Sequence, residues 1–369
     1  MFQKLKNIGF HLPKSIFYNL KFGFPSKKLT LIGITGTDGK TTTCTLVREI
    51  LKQSGLKTGL ITTIGAKIDD KEIDTGFHTT TPDPSLLQKI LSDMVKAGIT
   101  HVVCEVTSHA LDQYRFWGCN FEVSAITNTS HEHLDYHKNI ESYINTKAKL
   151  FSISKSAILN KDDQSFPIIK KQITIPFKTF SIKENSDYQA KKIKLDQNSL
   201  EFQVNNQKFV TDSNYEYQVY NILLALAISC KLKIDQNIVQ KVIEKFPETK
   251  GRREEVQNDF KFKTIIDFAH TPFALESSLS SLKKTNKGNL LVIFGATGGR
   301  DQSKRPMMGE IVSKLANIAF ITSDDTRNEK IENINKQIIS GIDPKKSELI
   351  DYKDVTTKKQ FQSVIELSQ

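Results

Sequence analysis

Apolar and polar positions alternate along this chain with two different periods. Residues 29–34 are a run of β-forming residues, and a helical stripe of Leu46, Val47, Ile50 and Leu51 follows the turn after them. The pattern predicts a second strand at 58–63, a polar loop over 69–84, and a helix from Pro84 to Ala97 with Leu86, Leu87, Ile90, Leu91 and Val95 on one face. Short apolar strands follow at 100–106 and 123–128. Strands alternating with helices imply an α/β fold whose central sheet is mostly parallel, with crossover helices. From about residue 155 the character changes. Residues 172–211 hold short alternating runs and read as an antiparallel appendage, and helices return at 217–231 and 236–245. The stretch 247–253 breaks the pattern as a linker would. Beyond it lies a second α/β set: strands at 263–268, 290–294 and 318–323, and helices at 272–282, about 306–316 and about 330–341. The predicted organisation is a short segment 1–28, a central nucleotide-binding domain 29–246, and a C-terminal Rossmann-like α/β domain 247–369.

Composition narrows this picture. At 369 residues and 38% hydrophobic the chain is globular, and it holds no apolar run of about 18 residues, so no membrane span is expected. Residues 1–28 mix Lys with Phe, Leu and Ile and lack the continuous apolar core of a signal peptide. They read either as a helix packed on the main domain or as a basic amphipathic segment touching a membrane surface. The net charge of +11 fits anionic substrates, and no nucleic-acid motif accompanies it. Cys44, Cys104, Cys119 and Cys230 are isolated, which fits a reduced, cytoplasmic setting better than disulfides or zinc.

The chemistry concentrates at Gly36-Thr37-Asp38-Gly39-Lys40-Thr41, between a strand and a helix. Glycine lets the backbone approach an anion, amides and a helix N-terminus supply positive potential, and Lys40 adds a full charge. Thr41 places a hydroxyl where a Mg²⁺ ligand is wanted. The spacing is shorter than the general phosphate-loop pattern. Glu105, at the end of a buried strand, is placed to serve magnesium. His131, His133 and His137 lack a zinc spacing, and one of them assisting magnesium is the more economical reading. On residue physics alone, Lys147 and Lys149 look like solvated helix lysines.

Eight stretches taken in order resemble the Mur ligase family, in its UDP-N-acetylmuramyl-tripeptide synthetase branch. They are GITGTDGKTTT at 33–43, TTTPDP at 79–84, EVTSHALDQYR at 105–115, TNTSHEHLDYH at 127–137, YQVYNILLALA at 217–227, GRREEV at 251–256, DFAHTP at 267–272 and GGRDQSKRPMMG at 298–309. The resemblance implies that Gly36, Thr37, Gly39, Lys40, Thr41 and Thr42 hold ATP phosphates. It implies two Mg²⁺ ions, with Thr41, Glu105, His133 and a carbamylated Lys147 as metal ligands. Asn221 would meet the adenine, and Arg252, Asp267 and His270 would close over the nucleotide. Thr80, Thr81, Thr107, Ser108, Gln113 and Arg115 match positions that grip the UDP-linked muramoyl-peptide. Arg305, Asp324, Asp325 and Arg327 match the pocket for the incoming amino acid. The branch commonly reads D-N-P-R where this chain has Asp324-Asp325-Thr326-Arg327, which leaves meso-diaminopimelate and L-lysine both open.

Two departures from the family stand out. Only 28 residues precede the first strand, too few for the domain that holds the uridine nucleotide. The chain stops at Gln369 before any match to the late G-K-G-H-E stretch. The implied reaction is ATP-dependent amide ligation through an acyl phosphate. A related ligase acting on a folate-like or cyanophycin-like γ-carboxylate, and a nucleotide-binding scaffold without turnover, are the other readings.

Overall fold

A computed structural model describes residues 2–75, 80–196, 199–213, 215–259, 262–343 and 348–351. The chain divides into two compact units, one of Met1–Thr129 with Glu141–Thr249, the other of Ser130–Ile140 with Lys250–Gln369.

The first unit is built on an eleven-stranded sheet. Its phosphate-loop strand, Thr30–Thr35, is central, pairing in parallel with His101–Glu105 on one side and Phe121–Ile126 on the other. Thr58–Thr62 extends the first side, and Ala157–Asn160, Phe177–Ser181 and Tyr188–Leu195 extend the second, all in parallel. The strand order reverses around the phosphate-loop strand, and ligand crevices in such sheets open at the carboxyl ends of strands beside that reversal.

Alternation along Thr30–Thr35 divides the core into two layers. Ile32 and Ile34 point to the layer of helix Lys40–Gln53 and helix Gln218–Lys231, and Leu31 points to the layer of helix Pro84–Lys96. Helix Gln218–Lys231 is buried nearly all round, from Val219 through Ser229, because it lies between other elements and not at the surface.

Two sequence expectations change. The polar loop over 69–84 begins as a hairpin, with Gly65–Ile68 antiparallel to Thr58–Thr62 and to Lys71–Ile73. Its strands are short and edge-placed, and only Ala66 is buried, so no apolar alternation marks them. Thr79 lies outside the described residues. The 172–211 appendage is antiparallel only in its last part: Phe177–Ser181 joins the parallel sheet through helix Phe166–Gln172, and Tyr188–Leu195, Leu200–Val204 and Gln207–Thr211 form the antiparallel edge.

The second unit holds a two-stranded antiparallel ribbon, Glu254–Val256 with Thr264–Ile266. It also holds a parallel sheet of Leu291–Phe294, Ile318–Ile321 and Glu348–Asp351. Helices Pro272–Thr285 and Lys304–Leu315 pack a core of Leu275, Leu279, Val292, Met308, Val312 and Ala319. Helix Ile331–Ile339 contributes Ile334 and Ile338 beside Ile321. Among the described residues no helix is long and apolar enough to cross a membrane.

Candidate active site

The loop after Thr35 is shaped by two glycines. Gly36 has φ of 142°, and a Cβ there would lie 1.8 Å from Thr127 Oγ1. Gly39 has φ of 80°, and a Cβ would lie 2.4 Å from Asn221 Oδ1. No other residue fits either position without displacing its neighbour. The loop is clamped from the next strand's exit, where Thr37 N–H donates to Asn128 O and Asp38 N–H to Asn128 Oδ1. The first turn of helix Lys40–Gln53 then presents Lys40, Thr41 and Thr42 at its N-terminus, where backbone amides point at the loop mouth.

The parallel register sets Glu105 beside Ile34, immediately below this mouth. Glu105 is 1% exposed. Its Oε2 accepts from Thr41 Oγ1 at 2.8 Å and from Thr63 N–H at 3.2 Å, while Thr63 Oγ1 lies 3.1 Å from Oε1. Lys40 Nζ stands 3.8 Å from Oε1 and donates to Thr37 O at 2.7 Å, folded back over its own loop. A hydroxyl, a buried carboxylate and a lysine amine therefore converge where a triphosphate would be cradled. Hard oxygen donors of this kind suit Mg²⁺.

The expected substrate-gripping residues form a network around Thr63, Thr81 and the Glu105 backbone. Thr80 Oγ1 is 3.0 Å from Thr63 Oγ1, Thr81 Oγ1 donates to Glu105 O at 2.9 Å, and Thr107 N–H donates to Thr81 Oγ1 at 3.3 Å. Arg115 donates to Thr81 O and to Gln113 Oε1, the latter at 2.8 and 3.1 Å. Ser108 is buried at the start of helix Ser108–Asp112, which Thr107 caps.

Lys147 overturns the solvated reading. It is 1% exposed, its Nζ donates to Gly36 O at 2.6 Å, and it sits 4.2 Å from the Tyr143 ring centre. Burial, and then the nearby positive charge of Lys40, hold the amine well below its ordinary value of 10.5. Lys149, two residues on, is the solvated one and pairs with Asp112 at 2.8 Å. A signal was present in the sequence: Tyr143, Ile144 and Lys147 share one helical face, and the first two are core residues.

Asn221 is placed under the loop, not on an open surface. It is buried, donates to Gln218 Oε1 at 2.6 Å and accepts from Thr43 Oγ1 at 3.2 Å. Its position against Gly39 makes it a support of the phosphate loop.

The second unit carries the remaining candidates. His133 starts the short helix Leu134–His137 with φ of 57°. Arg252 lies over the Phe268 ring at 4.2 Å, and His270 packs edge-on to that ring, with its Nδ1 3.0 Å from Phe268 O. Asp267 accepts from Ser278 Oγ at 2.8 Å and faces Arg253 Nε at 3.3 Å. Arg305, matched by resemblance to the amino-acid pocket, already has a carboxylate partner. Its side chain is fully buried and paired with both oxygens of Glu329 at 2.7 and 2.8 Å, holding that carboxyl down at about 2. Its guanidinium fastens the loop that carries Asp324, Asp325 and Arg327. Asp324 accepts from Thr297 Oγ1 at 2.8 Å, and Arg327 Nε faces Asp325 Oδ2 at 3.4 Å.

Sequence reasoning missed several groups. Thr63 and Thr127 follow strands and cup the loop, but nothing local distinguishes them from strand-end threonines. Glu132 and Lys304, 172 positions apart, form a buried pair at 2.8 Å, and His131 Nε2 lies 3.0 Å from Asp301 Oδ2 and 2.8 Å from Ser303 Oγ. Among the described residues no group of three or more His, Cys, Asp and Glu side chains converges to hold a metal ion. Oxygen donors from Thr41 and Glu105 are thus the site's own offering.

Known proteins resemble this chain in sequence and fold. The Mur ligase middle domain matches residues 34–229, and the Mur ligase glutamate ligase domain matches residues 251–367. A UDP-N-acetylmuramoyl-L-alanyl-D-glutamate–2,6-diaminopimelate ligase of Aquifex aeolicus is 38% identical over 339 residues, covering 89% of this chain and 68% of that one. One of the same description from Clostridium acetobutylicum is 40% identical over 324 residues, covering 86% and 67%. A solved structure of a ligase so described superposes with a TM-score of 0.67 at 28% identity, over 96% of this chain and 75% of that one. A Mycobacterium tuberculosis folylpolyglutamate synthase, solved with ADP and AMPPCP, shares the fold at a TM-score of 0.78 and 16% identity, over 97% and 87%. Loop, carboxylate and buried lysine are therefore found in a chain that belongs to the Mur ligase family.

Proposed function

We propose that this chain is an ATP-dependent amide ligase of the cytoplasm. It adds a diamino acid, meso-diaminopimelate or L-lysine, to UDP-N-acetylmuramoyl-L-alanyl-D-glutamate, in the building of peptidoglycan precursors. The observation that carries the reading is the buried Glu105 carboxylate bound by Thr41 and faced by Lys40 at the mouth of the phosphate loop, in a chain whose relatives at 38–40% identity bear that ligase name.

The chemistry follows from charge. A substrate carboxylate attacks the γ-phosphate of ATP, the bond to the β-phosphate oxygen breaks, and ADP leaves an acyl phosphate. The amine of the incoming amino acid then attacks the acyl carbon, loses a proton, and expels phosphate. The first step brings two anions together, so it needs cations more than a base. Lys40 is the mobile cation, free to turn from Thr37 O to a phosphate oxygen, and the amides after Gly39 supply fixed positive potential. Magnesium, which Thr41, Glu105 and a carbamylated Lys147 would hold, would add the remaining positive charge. Lys147 serves that set as a carbamate. A buried neutral amine is the form that adds CO₂: the N–C bond forms, the amine proton leaves, and a neutral group becomes an anionic oxygen ligand. Arg327 is the group for the distal carboxylate of diaminopimelate, while Asp325 suits a lysine ammonium.

The test is phosphate release from ATP and Mg²⁺ with UDP-muramoyl-dipeptide and either diaminopimelate or lysine. Release that requires both co-substrates is expected. Nucleotide binding without turnover on any acceptor would overturn the ligase in favour of a scaffold. Lys147→Ala is expected to abolish turnover and to be restored in part by added short carboxylates, and full activity in that variant would overturn the carbamate.

A further inference from the structure

Residues 2–21 fold with their polarity reversed. Phe2–Lys6, Asn7–His11 and Leu12–Lys21 form one helical run whose middle is a wider π-helical turn. Among its described residues the buried ones are Asn7, Ser15 and Asn19, and the exposed ones include Leu5, Phe10, Phe17 and Leu20, each about 60% exposed. The spacing explains the two faces: Ser15 and Asn19 are one turn apart on one side, and Phe17 and Leu20 on the other. The inward face is fixed by polar contacts. Asn7 Nδ2 donates to Asp112 Oδ2 at 2.6 Å, and Asn19 Nδ2 donates to Trp117 O at 2.5 Å and Ser15 O at 3.2 Å. Large apolar side chains are thus held outward by a helix that is anchored, not frayed.

The surroundings are cationic. Residues 1–28 contain six lysines, at 4, 6, 14, 21, 27 and 28, and no Asp or Glu. Lys6, Lys21, Lys27 and Lys28 make no ion pair among the described residues, and Lys27 lies over the Phe24 ring at 4.6 Å. The charge also lowers the His11 pKa, after burial, through Lys6, Arg115 and Lys14.

We infer that this helix face is a peripheral docking surface for an anionic lipid bilayer, with Phe17, Leu20, Leu5 and Phe10 entering the headgroup boundary and the lysines meeting lipid phosphates. Apolar residues flanked by lysines without acids are the pattern of interfacial helices. A second copy is the poorer occupant, because a symmetric contact would set one acid-free lysine face against another. The proposal does not rest on the ligase reading.

The test uses the full chain in co-sedimentation with vesicles of phosphatidylcholine alone or with 30% phosphatidylglycerol. Binding to the anionic vesicles only, weakened by 0.5 M salt, is expected. Phe17→Glu with Leu20→Glu is expected to weaken it at least tenfold, and Lys21→Ala with Lys27→Ala about 25-fold, near fivefold per lysine. Both variants should keep the wild-type melting curve and nucleotide binding, since all four side chains are exposed. Absence of binding to anionic vesicles, or binding that both variants retain, overturns the proposal. A concentration-dependent dimer that the Phe17→Glu, Leu20→Glu variant abolishes would give the face to a second copy instead.

Discussion

Replacing Lys147 by Met separates what this residue does for folding from what it does for the reaction. In the unfolded chain Lys147 binds a proton up to its ordinary pKa of 10.5. In the folded chain burial and Lys40 keep the amine neutral well below that value. Unfolding therefore takes up a proton, and the stability of the folded state rises with pH through the interval between the two pKa values. One proton corresponds to a factor of ten in the folding constant per pH unit. Within that interval this residue alone should raise wild-type stability tenfold, about 1.4 kcal/mol, for each pH unit. Lys147→Met lacks that term, and its methyl thioether fills similar volume beside Tyr143. The variant's unfolding free energy should rise with pH less steeply by one proton over that interval. The loss of the hydrogen bond to Gly36 O takes back about 1–3 kcal/mol at every pH and leaves the slope difference untouched. The assay is urea unfolding at half-unit steps of pH in CO₂-depleted buffer. Parallel pH profiles for the two proteins would refute the claim that this amine is buried and neutral.

Further predictions concern the loop, the carboxylate and the second unit. Gly39→Ala should weaken binding of a fluorescent ADP analogue at least tenfold, because φ of 80° and the approach of Asn221 both disfavour a Cβ; unchanged affinity would contradict the loop geometry. Glu105→Gln keeps the shape but not the charge, so Mg²⁺-dependent turnover should fall at least a hundredfold while Mg²⁺-free ADP binding persists within a few-fold. Lys304→Met takes from the buried Glu132 its 2.8 Å ammonium partner and should cost about 3–5 kcal/mol in urea unfolding, and adding Glu132→Leu should recover most of it; additive losses would show that the pair is not coupled.

The phosphate loop and the parallel sheet were legible because local sequence decides both. A β run, two glycines and a helix stripe leave one arrangement of strand, turn and helix, and the strand–helix alternation that follows admits few topologies. Glu105 was found for the same reason, as an acid ending a buried strand. Its partner Thr63 was not, since a threonine at a strand end has many uses and only the neighbouring register gives it this one. Lys147 was misjudged on residue type: lysine is almost never fully buried, and the face it shares with Tyr143 and Ile144 outweighs that rule only after packing is seen. Arg305 was matched to an amino-acid pocket by resemblance, and its carboxylate partner Glu329, 24 positions away, carries no local signal. Glu132 with Lys304, and the hairpin from Gly65 to Ile73, carry no local pattern that sequence reading can use.

The central claim is amide ligation through an acyl phosphate formed at the Lys40–Thr41–Glu105 site. It is tested most directly by isotope transfer. UDP-muramoyl-dipeptide labelled with ¹⁸O at both oxygens of the γ-carboxylate of its D-glutamate is turned over with ATP, Mg²⁺ and a diamino acid, and the released phosphate is analysed by mass. One ¹⁸O in each phosphate, with a product heavier by the diamino acid less water, is the predicted result; phosphate without the label would contradict the account.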